Sequence, residues 1–190
     1  MKKSLLLSEI FPPVKGGSGR WFWEMYTRLP NEKVVVAAGT TAETKEFDKG
    51  HSLNVYRIAL SSFSWGIKSL SGLGFYWKAF WQVRRIVKAN NIELIHCGRC
   101  LPEGVIAWLI KKIFKVPYLC YIHGEDVETA ATSRELSWLV NKVLNEASHL
   151  IANSKNTEIY GCLPKKKMLR LFEQERKRQT ILLKKIEIIT

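Results

Sequence analysis

Short apolar runs alternate with longer amphipathic ones along most of this chain. Leu5-Leu6-Leu7 predicts a first strand, and Phe11-Pro12-Pro13 with the glycines Gly16, Gly17 and Gly19 predicts a loop behind it. Trp21, Phe22, Met25, Tyr26 and Leu29 recur at helical spacing, and Pro30 stops that helix. Val34-Val35-Val36 is a continuous β-branched run, which suits a second strand covered on both faces. Residues 53–58 alternate as a third strand with Leu53, Val55 and Arg57 on one face. The Ser- and Gly-rich stretch 61–74 reads as a loop that also carries Phe63 and Trp65. Leu73, Tyr76, Trp77, Phe80, Val83 and Val87 then mark a long helix.

The alternation continues. Ile92-Glu93-Leu94-Ile95 predicts a fourth strand, 105–113 a helix and 117–122 a fifth strand. Thr132-Ser133-Arg134-Glu135 fits a capping box, with Thr132 as N-cap and Glu135 reaching back to its amide. The helix behind it presents Leu136, Leu139, Val140, Val143 and Leu144 as one apolar stripe, and Leu150-Ile151-Ala152 predicts a sixth strand. Strand and helix in turn are the grammar of a parallel sheet. The fold class is α/β, a Rossmann-like parallel sheet with helices on both faces. That grammar stops near Glu158, so residues 1–158 are expected to be the domain and 159–190 a basic tail outside the fold.

Composition narrows the function classes. A chain of 190 residues, 46% hydrophobic and 25% charged, is a globular domain and not a disordered segment. No apolar run reaches the roughly 18–20 residues that span a bilayer. Met1-Lys2-Lys3 and the leucines after Ser4 imitate a signal peptide, but Glu9 and Pro12-Pro13 interrupt the run and no small-residue cleavage site follows. The expected location is cytoplasmic. The net charge of +13 calls for an acidic partner, whether a phosphorylated ligand, anionic lipid or nucleic acid. Nine basic and three acidic residues after Ile159 give the tail a net +6. This adds peripheral contact with the inner face of a membrane to the expectations, ahead of nucleic acid.

The cysteines Cys97, Cys100, Cys120 and Cys162 are too few for a disulfide framework at this length. Cys97-Gly98-Arg99-Cys100 has redox spacing, yet Pro102 and Glu103 open the next helix, where a redox pair would have to sit. No second close pair joins His96 or His123 to make a zinc site. Buried or loop thiols are expected, with no metal and no cofactor.

Ligands of a parallel sheet gather at the carboxyl ends of its strands. Four loops qualify: Gly16-Gly17-Ser18-Gly19-Arg20, His96 through Gly104, His123-Gly124-Glu125-Asp126, and Asn153-Ser154-Lys155-Asn156. The first offers backbone amides at a helix start, where an anion is favoured. The third sets an imidazole and two carboxylates directly after a buried strand, suited to a sugar hydroxyl or to charge on a leaving oxygen.

Taken in order, Phe11-Pro12-Pro13 with Gly16-Gly17, Ile95-His96-Cys97-Gly98, His123-Gly124-Glu125-Asp126 and Leu150-Ile151-Ala152-Asn153-Ser154 resemble the N-terminal domain of family 4 retaining glycosyltransferases, from about Leu5 to Glu158. The resemblance implies the N-terminal half of a GT-B fold and transfer of a sugar from a nucleotide-sugar to a sugar or lipid-linked acceptor with retention. It implies that the Gly16 and Gly17 amides lie near the donor diphosphate, that His123 contacts the transferred sugar, and that Asp126 orients His123 or the acceptor. Arg20, Arg99, Glu103 and Ser154 are then acceptor-side candidates. The family's donor-binding half, with its two glutamates seven residues apart, has no counterpart after Glu158, as a truncated or frameshifted gene would give. The chain alone is therefore expected to be inactive. The alternatives are a non-catalytic binding module or a polybasic membrane or nucleic-acid binder.

Overall fold

A computed structural model describes residues 1–62, 65–124 and 132–152, together with the backbone of Met168–Arg170. The strands are β1 Ser4–Ser8, β2 Val34–Ala38, β3 Asn54–Arg57, β4 Leu94–Cys97, β5 Tyr118–Ile122, β6 His149–Ala152 and β7 Met168–Arg170. They form one sheet in the order β3-β2-β1-β4-β5-β6-β7, and every pairing is parallel. The described helices are α1 Gly17–Tyr26, α2 Thr44–Phe47, α3 Leu70–Ala89, α4 Val105–Phe114 and α5 Arg134–Glu146, with single helical turns at 31–33, 48–50 and 100–104.

Alternate residues of each strand feed two different cores. On one face Leu5, Leu7, Val35, Ala37, Ile95 and Tyr118 pack against α3, α4 and α5. On the other Leu6, Val34, Val36, Leu119, Tyr121 and Ile151 pack against Phe22, Met25 and Tyr26 of α1. Burial on both faces is why the inner strands read as unbroken apolar runs and not as alternating ones. None of the described helices is long and apolar enough to cross a membrane.

Several expectations are corrected. The sheet has a seventh strand, β7, paired with β6 from Leu150↔Met168 to Ala152↔Arg170. Three residues among like charges are too short a run to show as a strand in a sequence pattern. The fourth strand lies two residues later than the pattern predicts, so His96 is inside β4 and not in the loop after it. The long helix begins at Leu70, within the stretch expected as loop, because Ser69 caps it by accepting from the Gly72 amide at 3.0 Å. The N-cap of α5 is Ser133, whose Oγ accepts from the Glu135 amide at 3.2 Å. Glu135 does not close a capping box on Thr132. Its Oε1 accepts instead from the amides of Ile67 at 2.5 Å and Lys68 at 2.7 Å, tying the start of α3 to the start of α5. Cys97, Cys100 and Cys120 are buried, and Cys162 lies outside the described residues.

Candidate active site

Chain order reverses between β1 and β4, which makes their carboxyl ends a crevice. The two strands meet closely there. The Gly98 amide donates to the Leu7 carbonyl at 2.8 Å, and a Cβ on Gly98 would lie 2.7 Å from Ser8 Oγ. Only glycine fits that approach.

The turn at 100–104 carries Glu103 into this crevice, where it is fully buried. Its Oε1 accepts from the Glu9 amide at 2.7 Å, and Oε2 has no partner among the described residues. Arg99 lies between two carboxylates, 3.7 Å from Glu103 Oε1 and 3.6 Å from Glu9 Oε2. Burial pushes the Glu103 carboxyl up to about 8, although Arg99 and the Glu9 amide pull the other way. At neutral pH Glu103 is thus largely protonated, and its second oxygen can donate a hydrogen bond. Sequence position alone marks Arg99 and Glu103 as candidates. It gives no sign that one is buried and the other held between acids.

His123 follows β5, next to β4 in the sheet. Its Nε2 donates to the Gly98 carbonyl at 2.9 Å, so the neutral ring is protonated at Nε2 and its acceptor nitrogen is Nδ1. Gly16 and Gly17 open α1 directly after β1. Among the described residues the first turn has no side-chain cap, it carries no acid, and nothing stands within 4 Å of a Cβ placed on Gly17. Arg20 is exposed one turn further on. Parallel pairing puts Gly16, Gly17, Arg99, Glu103 and His123 on the same rim, at the ends of the adjacent strands β1, β4 and β5. Asp126 and Ser154 lie outside the described residues.

The Glycosyltransferase Family 4 profile matches residues 15–160. The chain belongs to glycosyltransferase family 4. It is similar to an uncharacterized glycosyltransferase of Methanocaldococcus jannaschii, MJ1178, at 20% identity over 80% of this chain and 40% of the relative. Among solved structures, Anabaena HepE in complex with UDP and glucose aligns at a TM-score of 0.65 and 17% identity, over 92% of this chain and 45% of that one. Acinetobacter baumannii MurG aligns at 0.57 and 14%, over 93% and 46%. A sucrose-phosphate synthase chain from Thermosynechococcus elongatus aligns at 0.61 and 17%, over 97% and 96%. The likeness establishes a Rossmann-like GT-B fold, and the chain spans less than half the length of its curated relative.

Two further groups shape the rim of this family 4 domain. The guanidinium of Arg57 donates to Asp48 Oδ2 at 3.0 Å and Oδ1 at 2.7 Å, to the Gly39 carbonyl at 3.0 Å and to the Pro12 carbonyl at 2.7 Å. It joins the loops that follow β1 and β2. The sequence pattern puts Arg57 on a strand face without a role, since a lone Asp48 nine residues away gives no signal. His96 is the second. Buried beneath the crevice, its Nδ1 lies 2.7 Å from Tyr26 Oη, which lies 3.3 Å from Tyr121 Oη. Burial drives its imidazole down to about 3, so it stays neutral and acts as a core residue.

Proposed function

We propose that this domain is the acceptor-side half of a retaining glycosyltransferase acting on a nucleotide-sugar, and that these 190 residues alone do not turn over. The carrying observation is the hydrogen bond from His123 Nε2 to the carbonyl of Gly98, the residue that follows β4. In that pose the backbone orients the His123 imidazole at the carboxyl rim. Gly16 and Gly17 supply amides for the donor diphosphate, where charge builds as the sugar leaves. Arg99 supplies donors to acceptor hydroxyls, while buried Glu103 acts behind it by fixing the loops that form the crevice; Arg20 stands at the edge, and Asp126 and Ser154 complete the set. The Anabaena protein was solved with UDP-glucose, which makes uridine diphosphate sugars the first donors to try.

A half-cleft leaves the donor open to water, and the positioning that a closed cleft provides can account for roughly 7–11 kcal/mol of the barrier. Amide NMR of the purified chain titrated with UDP-glucose should shift Gly16, Gly17, Gly98 and His123, with no labelled sugar transferred to any acceptor. Shifts confined to another edge of the sheet would refute the site. Product formed by the chain alone would refute its inactivity.

A further inference from the structure

Helix α3 is longer than the sheet it covers. Its 20 residues rise about 30 Å, whereas a strand of five residues such as β1 spans about 17 Å. The buried side is Tyr76, Ala79, Phe80, Val83 and Ile86. Glu135 and Ser69 fix its start at the carboxyl rim, beside the first turn of α5. The other side has no cover among the described residues. Leu70, Leu73 and Trp77 are 89%, 54% and 66% exposed, and their spacing places them on one stripe. The stripe continues through Trp81, 5.5 Å from Trp77 between ring centroids, to Arg84, whose guanidinium lies 4.9 Å from the Trp81 ring. Its upper half is apolar and its lower half cationic.

Charge decides what can cover such a stripe. Helix α3 carries Lys78, Arg84, Arg85 and Lys88 and no acid. The neighbouring α4 also lacks an acid; in its last turn Lys112 pairs with Glu146 at 2.6 Å and Lys111 donates to the Glu146 carbonyl, which leaves Lys115, just beyond the helix, as the cation of this end. Between them Ile113 and Phe114 are exposed, and Phe114 shares the Arg84 guanidinium at 5.1 Å. Leucine and tryptophan suit the boundary between headgroups and acyl chains, while lysine and arginine lay their stems on it and reach for phosphate. A second copy of this chain would bring the same positive field against itself, which opposes pairing.

We propose that the exposed stripe of α3, with the end of α4, docks this domain on an anionic phospholipid bilayer. The docking stands independently of the transfer reading.

The test is sedimentation of the whole chain with vesicles of phosphatidylcholine alone or with about 30% phosphatidylglycerol. Three proteins are compared: the parent, Leu70→Ser/Leu73→Ser/Trp77→Ser, and Lys165→Gln/Lys166→Gln/Lys167→Gln in the tail. The parent should bind the anionic vesicles only, the α3 variant roughly 10-fold or more weakly, and the tail variant nearly as well as the parent. The single change Trp77→Glu should weaken binding as well, and circular dichroism checks that each variant is folded. Brominated lipid should quench the parent's fluorescence more than that of Trp77→Phe. Equal binding by the parent and the α3 variants, loss only in the tail variant, or no vesicle binding at all would overturn the proposal. So would a dimer, seen by light scattering, that the α3 variant abolishes.

Discussion

The carboxyl of Glu103 accepts a 2.7 Å hydrogen bond from the backbone amide of Glu9, joining the loops that leave β4 and β1. These loops form the two walls of the crevice, so a buried acid sets their spacing. Because burial raises this carboxyl to about 8, the folded state holds its proton more tightly than the unfolded chain does. The sign is therefore fixed: the contribution to stability is complete below about pH 4.5 and is lost as pH rises toward 8. Glu103→Gln keeps an oxygen for the Glu9 amide and removes the titration. It should flatten the dependence of stability on pH across that window and raise the melting temperature at pH 8 by roughly 2–8 °C. Thermal melts at pH 5, 6.5 and 8 decide this; parallel curves for both proteins would mean that Glu103 is ionised when folded.

Two glycines on the same rim should respond in opposite ways. A methyl on Gly98 would meet Ser8 Oγ at 2.7 Å, Ser8 Cβ at 2.9 Å and the Leu7 carbonyl at 3.3 Å. Gly98→Ala therefore forces β1 and β4 apart and should cost about 1–3 kcal/mol in urea unfolding. Among the described residues nothing stands within 4 Å of a methyl on Gly17, which is in the first turn of α1. Gly17→Ala should be neutral or stabilising by up to about 1 kcal/mol. If the donor diphosphate rests on this amide, the same methyl weakens UDP-glucose binding without lowering stability, a separation that calorimetry can read.

How much of this is legible in the sequence depends on the range of the interaction. The strand cores Leu5-Leu6-Leu7, Val34-Val35-Val36 and Leu150-Ile151-Ala152 are local patterns, and each is a strand. The order in which they pair is not local, but strand–helix alternation limits it to few choices. Long-range polar contacts leave no such pattern. Glu135 has the spacing of a local cap and serves Ile67 and Lys68 instead. Arg57 has the place of a strand residue and bonds carbonyls at Gly39 and Pro12. Glu103 has the place of a first-turn acid on the ligand side and is buried. In each case the side chain's partner lies on another element, and no spacing rule connects them.

Arg57 offers a test of such a contact. Lysine keeps its charge but cannot hold both Asp48 oxygens and two carbonyls at once. Arg57→Lys should destabilise by about 1–3 kcal/mol and loosen the loops after β1 and β2. Burial acts to raise the Asp48 carboxyl, but its bonds with Arg57, and more weakly His51, win and hold it below its ordinary 3.8. The pair therefore stabilises the fold above that pH and ceases to do so as pH falls below it. In acid titration followed by circular dichroism, the parent should unfold at a lower pH than Arg57→Lys. Coincident curves would assign the bonds of Arg57 no net weight.

The basic tail can be divided at β7. Its whole length reads as external to the fold, yet Met168–Arg170 pairs in parallel with Leu150, Ile151 and Ala152 of β6. Those β6 residues are buried, so removing β7 uncovers the backbone edge of a strand whose side chains are core. An uncovered apolar edge loses ladder bonds and templates association with other chains. Ending the chain after Arg170 keeps the ladder and discards only residues 171–190. The truncation 1–170 should melt within about 2 °C of the full chain, whereas 1–158 should melt several degrees lower and scatter light on standing. The two truncations differ by residues 159–170, and the extra positive charge in that segment should slow association by repulsion. Raising salt separates the contributions: charge repulsion is screened, while the strand pairing is not. If 1–158 and 1–170 melt together and neither associates at high salt, β7 adds nothing to the domain and the sheet is complete at β6.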